Sequence, residues 1–254
     1  MPEKLKPEHL QNIRLIATDM DGTLTQEGKF TTELFQALEK LAQAKLPVLI
    51  ITGRSAGWVS GIQHYLPIEG AIAENGGLFF PPDTETPQPL VNLPNWTEHR
   101  HNLEAVFIRL QQEFFQLIPA VDNQFRLTDW TFDVTGLSRK DLQYLQDLCD
   151  GEGWGFTYST VQCHIKPPAQ EKATGLQQVL AQYYPELKAE EVLTIGDSPN
   201  DESLFNPDIF PVSVGVANVL DYEKILTYCP AYVTQFSEGK GFCEIVDLWL
   251  KAHE

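Results

Sequence analysis

Short, fully apolar runs that fit strands buried on both faces constrain the fold of this chain most. The run at 46–52 (LPVLIIT) is rich in β-branched residues, and the run at 192–196 (VLTIG) has the same character. Strands of this kind are typical of parallel sheets that are covered by helices on both faces. Ahead of the first run, apolar residues recur at helical spacing at Leu34, Leu38 and Leu41. The sequence therefore predicts an α/β fold with a doubly wound parallel sheet.

The middle of the chain differs from the rest in its proline content and its pattern of apolar residues. Prolines cluster between Pro81 and Pro94, and Pro167 and Pro168 follow later in the chain. Such clusters are typical of stiff connections at domain boundaries. Between them, helical stripes alternate with short strand-like runs. We therefore expect residues 82–167 to form a small α+β domain, inserted into a core made of residues 1–81 and 168–254.

Charge and composition exclude several classes of partner. The chain has 254 residues, with 18 basic and 35 acidic side chains, and its formal net charge is -17. This charge repels nucleic-acid phosphates and anionic lipids. No apolar stretch approaches the ~20 residues that span a bilayer, and the first residues lack an apolar signal region. We therefore expect a cytoplasmic protein that binds neither nucleic acid nor membranes, and its four cysteines predict buried free thiols.

Two acidic strings follow predicted strands. The first, DMDGT, begins at Asp19, and the second, GDSPND, begins at Gly196. If both strands are parallel, their carboxyl ends meet at the sheet edge where ligands bind in such folds. Crowded carboxylates resist ionisation unless a cation lies among them, and oxygen ligands without His or Cys favour Mg2+. We therefore expect a Mg2+ site at this edge.

Phosphate-binding groups are predicted beside the acidic strings. Thr52 and Gly53 end the second strand and begin a helix, where a hydroxyl and free N–H groups suit either a phosphate or a plain helix cap. Lys172 opens a later helix, where a cation is poorly placed unless it faces an anion. Solvent exposure is the alternative for a single lysine.

In this order, the motifs D-x-D-G-T, Thr52, Lys172 and G-D-x-x-N-D resemble those of the haloacid dehalogenase superfamily of phosphatases. The likeness spans most of the chain. The insert lies between Thr52 and Lys172, and the segment Glu74-Asn75-Gly76-Gly77 also resembles the Cof-type, or type IIB capped, branch. That branch includes sucrose-phosphate and mannosyl-phosphoglycerate phosphatases. The resemblance implies a Rossmann-like core with the insert as a cap domain that closes over the phosphate site.

The resemblance also implies a role for each matching residue. Asp19 would be the nucleophile that forms an aspartyl-phosphate, and Asp21 would act as general acid and then as general base. Mg2+ would lie among Asp19, the main-chain carbonyl of Asp21 and Asp197. Asp201 is assigned to the same metal site, where it would orient Lys172 or a metal-bound water.

Binding of the phosphoryl group is implied for Thr52, Gly53, Lys172 and Asn200. The lysine segment lacks the glycine that often follows the family's lysine, so Lys166 is an alternative to Lys172. We favour Lys172 because it opens an amphipathic helix.

The function expected from these residues is hydrolysis of a small phosphorylated metabolite, most readily a sugar phosphate, by a Mg2+-dependent phosphatase. A phosphotransferase or phosphomutase with the same aspartyl-phosphate is the closest alternative, and a non-catalytic sensor of a phosphorylated ligand is a more distant one. The insert contains His99, His101 and His164; the segment with His99 and His101 is interpreted as the solvated start of a helix rather than as a metal or sugar contact. Its tryptophans are interpreted as core residues rather than as a platform for a sugar ring. The substrate, the cap residues that select it and the oligomeric state remain open.

Overall fold

The computed structural model describes residues 2–82, 84, 86–93, 95–159 and 161–254, so Pro94 of the proline cluster lies outside the described residues. The strands are β1 (Glu3–Lys4), β2 (Leu15–Thr18), β3 (Val48–Ile51), β4 (Gly70–Ala73), β5 (Leu78–Phe80), β6 (Gln88–Pro89), β7 (Trp130–Asp133), β8 (Gly155–Tyr158), β9 (Gln162–Lys166), β10 (Val192–Gly196), β11 (Ser213–Gly215) and β12 (Tyr232–Val233). The α-helices are α1 (Thr32–Gln43), α2 (Ala56–Tyr65), α3 (Trp96–Glu113), α4 (Arg139–Gly151), α5 (Lys172–Tyr183) and α6 (Glu238–Ala252).

The larger sheet has the strand order β1-β12-β11-β10-β2-β3-β4-β5-β6. All pairs from β1 to β4 are parallel, and the last two pairs are antiparallel. The prediction of an α/β fold with a parallel sheet is therefore confirmed. The antiparallel edge was not predicted, because the segment around β5 and β6 is punctuated by prolines and its turn residues gave no strand signal.

Two apolar layers cover the two faces of this sheet. One layer contains Ile16 and Ile50 with apolar residues of α1, α2 and α6. The other contains Leu15 and Leu49 with residues of α5. Successive residues of a strand point to opposite faces. Both faces are buried by helices, and for this reason the central strands carry no exposed polar side chain.

A smaller antiparallel sheet, in the order β7-β9-β8, forms the second part of the molecule. Helices α3 and α4 pack on it through a separate apolar cluster that includes Leu103, Leu145 and Phe132. Helix α4 begins with a capping box between Ser138 and Asp141. Of the predicted insert 82–167, strand β6 pairs with β5 in the larger sheet.

The cysteines follow the expectation only in part. All four thiols are free; Cys149 and Cys163 are buried, Cys243 is partly buried, and Cys229 is exposed. The prediction was wrong for Cys229 because it lies in the irregular segment before β12, away from the apolar layers. In the described part of the chain, no helix has the length and apolar character needed to span a membrane.

Candidate active site

Two adjacent strands bring the acidic strings together at one sheet edge. Asp19 follows β2 and Asp197 follows β10, and the two strands pair in parallel register. Within the described residues, carboxylate oxygens of Asp19, Asp197 and Asp201 all lie within 4.8 Å of one another. Glycine is required at position 22 within the first string, because its φ is +83° and a Cβ there would lie 2.5 Å from Oδ2 of Asp197.

These carboxylates are costly to ionise. Asp19 and Asp197 are buried. Burial raises the pKa of Asp19 to about 7, with the Asp201 charge adding to the rise and Lys172 opposing it. Burial and the charges of Asp19 and Asp201 also raise the pKa of Asp197 well above its usual range. A divalent cation among these oxygens would relieve the repulsion, so the donor set fits a hard cation such as Mg2+.

Lys172 links the nucleophile candidate to the second acidic string. It is the first residue of α5 and is buried, and its Nζ donates hydrogen bonds to Oδ1 of Asp19 and, at 2.7 Å, to Oδ1 of Asp201. Burial lowers the pKa of Lys172, but the two carboxylates outweigh it and the net pKa is raised. The alternative, Lys166, instead donates to the carbonyl oxygen of Gln170 at 2.6 Å.

Asp201 has both of its carboxylate oxygens in use. Its Oδ2 accepts hydrogen bonds from the backbone N–H groups of Asp197, at 2.9 Å, and Ser198, at 3.1 Å. Its Oδ1 accepts from Lys172. These donors hold the carboxylate of Asp201 in place beside Nζ of Lys172.

Two further groups hold Asp197. The hydroxyl of Thr23 donates to Oδ1 at 2.9 Å, and Nδ2 of Asn218 donates to Oδ2 at 2.9 Å. Asn218 also donates to the carbonyl oxygen of Gly22 at 3.1 Å. Sequence analysis missed Asn218, because an isolated asparagine outside any motif carries no signal.

The predicted phosphate-binding groups share a small cavity with the acidic residues. Its lining includes Asp19, Asp21, Thr52, Gly53 and Asn200. A second cavity of about 390 Å³ is lined by Lys172 and again by Asn200. The structure thus brings all the predicted phosphate contacts to one region, with Asn200 between the two cavities. Thr52 also accepts a hydrogen bond from the backbone N–H of Arg54 at 3.1 Å, as a helix cap does.

Arg54 makes an ion pair that sequence analysis did not identify. Its Nε donates to Oδ2 of Asp21 at 2.8 Å and its Nη2 donates to Oδ1 at 2.6 Å. The guanidinium carbon lies 5.1 Å from the ring centre of Trp58. This paired geometry fixes the orientation of the Asp21 carboxylate. The signal was available, since Arg54 follows Thr52 and Gly53 in the same string.

Glu74 joins the two sheets. This buried carboxylate accepts hydrogen bonds from the N–H of Ala56 at 3.0 Å and of Leu127 at 3.1 Å, and from the N–H and hydroxyl of Thr128 at 2.6 Å and 2.7 Å. Burial raises the pKa of Glu74. Ala56 belongs to the larger part of the molecule, and Leu127 and Thr128 precede β7. The resemblance identified this segment without indicating its structural role.

Residues of the segment before β7, together with His164 of β9, form a buried charged network beside Gly53. Arg126 donates to Asp129 at 2.8 Å, to Asp122 at 3.0 Å and to the carbonyl oxygen of Gly53 at 2.9 Å. Asp129 also lies 2.8 Å from Nδ1 of His164, which lines the small cavity with Asp19 and Asp21. Sequence analysis noted His164 in the insert but assigned it no role. Its partner is 35 residues away, so no local pattern connects them.

Comparisons with known proteins show which proteins this chain resembles. Residues 16–118 match the haloacid dehalogenase-like hydrolases. Phosphoglycolate phosphatase of Methanothrix thermoacetophila is 28% identical over 247 residues, covering 92% of this chain and 96% of that protein. A glucosyl-3-phosphoglycerate/mannosyl-3-phosphoglycerate phosphatase of Persephonella marina is 26% identical over 228 residues, covering 79% of this chain and 84% of that protein.

A solved structure shows the same fold. The sucrose-phosphatase of Synechocystis sp. PCC6803, in complex with sucrose and phosphate, superposes with a TM-score of 0.70 at 18% identity, covering 92% of this chain and 97% of that chain. The comparisons confirm the resemblance seen in the sequence. The chain is therefore similar to phosphatases of the haloacid dehalogenase superfamily and resembles its Cof-type, type IIB capped branch.

Proposed function

We propose that the protein is a Mg2+-dependent phosphatase that hydrolyses a small phosphorylated metabolite through an aspartyl-phosphate on Asp19. The observation that carries the proposal is the environment of the Asp19 carboxylate, which shares one buried cluster with Asp197, Asp201 and Lys172. The names of the relatives, which include phosphatases of phosphoglycolate and of glycosyl phosphoglycerates, support a small phosphorylated substrate.

Oxygen donors of the cluster would hold the metal ion. These donors are the carboxylates of Asp19 and Asp197 and the main-chain carbonyl of Asp21. A carboxylate oxygen of Asp201 lies within 4.8 Å of those of Asp19 and Asp197. When bound, Mg2+ supplies positive charge that offsets the repulsion between the carboxylates and the phosphate.

The residues of the chain then divide the reaction into two displacements. A carboxylate oxygen of Asp19 attacks phosphorus and the ester P–O bond breaks, while Asp21 gives a proton to the departing alkoxide. Asp21 next removes a proton from a water molecule, whose oxygen attacks the phosphorus of the aspartyl-phosphate. This step releases phosphate and regenerates the Asp19 carboxylate. Arg54 orients Asp21 in both steps through its paired hydrogen bonds.

Donors around Asp19 stabilise the charge on the phosphoryl group. Lys172 is positioned by Asp201, and Thr52 and Gly53 present a hydroxyl and N–H groups at the end of β3. Such groups act most strongly as charge develops in the transition state. The smaller sheet, as the proposed cap, excludes water and contacts the organic part of the substrate.

The test is hydrolysis of p-nitrophenyl phosphate by the purified chain, with and without Mg2+. We expect Mg2+-dependent release of phosphate, and a loss of about 1000-fold or more in Asp19→Asn, because the nucleophile is removed. Asp208→Asn is the matched control, since Asp208 is exposed and lies outside the site. Full activity of Asp19→Asn, or equal loss in both variants, would contradict the proposal.

A further inference from the structure

His164 reaches the active site from strand β9 of the smaller sheet. It is buried, and it lines the small cavity together with Asp19, Asp21 and Thr52. Its Nδ1 lies 2.8 Å from Oδ2 of Asp129. Among the described residues, no group hydrogen-bonds its other ring nitrogen, Nε2. Nε2 is therefore the atom of this side chain available to a substrate.

The neighbours of His164 fix which nitrogen carries the hydrogen. Arg126 donates two hydrogen bonds to Asp129, and with His164 it holds the pKa of that carboxyl below its usual range, although burial alone would raise it. Asp129 is therefore ionised and accepts the Nδ1–H of the ring. Burial and the nearby charges of Arg126 and Lys172 lower the pKa of His164 against the opposing effect of Asp129. In the neutral ring, Nε2 is consequently a hydrogen-bond acceptor.

A donor lies beside this acceptor. Asn75 is buried, and its Oδ1 accepts from Nδ2 of Asn200 at 3.1 Å. Its own Nδ2 has no hydrogen-bond partner among the described residues, which is costly for a buried amide. A Cβ placed on Gly53 would lie 3.1 Å from Nε2 of His164 and 3.2 Å from Nδ2 of Asn75. Both nitrogens therefore face the side of Gly53 that carries no side chain, where His164 lines the small cavity and Asn75 lines the adjoining larger one.

We propose that Nε2 of His164 and Nδ2 of Asn75 bind a hydroxyl group of the substrate. Asp129 is the positioning residue, because its hydrogen bond with Nδ1 leaves Nε2 as the acceptor. A hydroxyl both donates and accepts, so it satisfies the acceptor Nε2 and the donor Nδ2 together. An unprotonated carboxylate or phosphoryl oxygen only accepts, and leaves Nε2 without a partner. The inference rests on the proposed function and assigns its substrate class, a phosphate ester with a free hydroxyl close to the phosphorylated carbon.

Three two-carbon esters of matched size test this assignment. They are ethyl phosphate, 2-hydroxyethyl phosphate and 2-phosphoglycolate, which differ in carrying a methyl, a hydroxyl or a carboxylate. We expect kcat/KM of the wild-type protein with Mg2+ to be about tenfold or more higher for the hydroxyl ester than for the other two, because a site built for a hydroxyl loses a hydrogen bond with either analogue. Equal values for the hydroxyl and methyl esters, or a preference for 2-phosphoglycolate, would overturn the inference.

Two variants of His164 distinguish contact with the substrate hydroxyl from a purely structural role of this side chain. His164→Phe keeps the ring volume, and His164→Asn keeps an N–H for Asp129 while removing Nε2. We expect both to reduce the preference for the hydroxyl ester over ethyl phosphate to about twofold or less. The control is His101→Asn, since His101 is exposed on α3, and its preference should equal that of the wild type. An equal loss with all three esters would place His164 on the phosphoryl group and contradict the assignment.

Asp129→Asn tests the positioning role. The amide oxygen would face Arg126 and the amide N–H would face Nδ1, so the ring hydrogen would move to Nε2. We expect the ratio of kcat/KM for 2-phosphoglycolate to that for the hydroxyl ester to rise about tenfold, a change that mere loosening of the fold would not cause. An unchanged ratio would contradict the role.

A binding measurement keeps this test separate from the proposed function. Dissociation constants of 2-hydroxyethyl and ethyl phosphate for Asp19→Asn, measured by calorimetry with Mg2+, need no turnover. We expect about tenfold tighter binding of the hydroxyl ester. Absence of hydrolysis by the wild type together with this preference would contradict the phosphatase mechanism alone, whereas equal affinities would contradict the hydroxyl site alone.

Discussion

Ionisation of Asp19 should make the metal-free protein less stable as the pH rises. The folded protein raises the pKa of this carboxyl from 3.8 to about 7, chiefly by burial. A raised folded pKa stabilises the protein fully below the unfolded value, and this stabilisation is lost as the pH rises through the folded value. The affected window is therefore the interval between about pH 4 and pH 7.

The size of the effect follows from the shift. Each pKa unit corresponds to about 1.4 kcal/mol of folding free energy. Between about pH 5 and pH 7 the folded protein retains the Asp19 proton that the unfolded chain has lost, which amounts to a loss of about 2 kcal/mol. For a chain of this size, the melting temperature would fall by about 4–8 °C. The pKa of Asp197 is also raised, partly by the Asp19 charge, and it contributes in the same direction.

The assay compares wild type with Asp19→Asn, because the variant has no charge to lose at this position. Thermal unfolding in EDTA, followed by tryptophan fluorescence, should show the melting temperature of the wild type falling more between pH 5 and pH 7 than that of the variant. Added Mg2+ should restore more stability to the wild type at pH 7 than at pH 5, since binding requires ionised ligands. Parallel pH dependences of the two proteins in EDTA would refute the reasoning.

Three further substitutions test individual contacts. Glu74→Gln should lower the free energy of unfolding by about 2–4 kcal/mol in urea titrations, because an amide N–H would face N–H and hydroxyl donors that now hydrogen-bond to the carboxylate. An unchanged free energy of unfolding would contradict the role of Glu74 in joining the two sheets. Gly22→Ala should weaken Mg2+ affinity at least tenfold by calorimetry, because the new Cβ meets Asp197 and the φ is unfavourable; wild-type affinity would count against it. Arg54→Ala should lower kcat/KM for p-nitrophenyl phosphate about tenfold through loss of the Asp21 ion pair, and unchanged kinetics would exclude an orienting role.

The acidic strings gave the most accurate predictions, because each follows an apolar strand. Strand periodicity places Asp19 and Asp197 at carboxyl ends, and parallel pairing of β2 with β10 then makes them neighbours. The choice of Lys172 over Lys166 followed from helix patterning, and the structure directs only Lys172 to Asp19. These features depend on local spacing and on one rule of sheet topology.

The contacts between the two sheets were not predictable in the same way. Glu74 contacts residues more than 50 positions away, and His164 depends on a partner 35 positions away. Such pairs leave no periodic pattern in one sequence, since they depend on how the smaller sheet lies on the larger one. Strand β6 was missed for a related reason: it is a two-residue edge strand containing a proline.

Trapping of the phosphorylated enzyme is the most direct test of the central claim. In Asp21→Asn the acid–base group is lost, so attack by water is slowed, and a substrate with a good leaving group such as p-nitrophenyl phosphate needs little help to depart. Intact-mass analysis after rapid acid quench should then show one added phosphoryl group, and peptide mapping should place it on Asp19. Efficient hydrolysis with no phosphorylated protein at any time, or a phosphoryl group on another residue, would contradict the account.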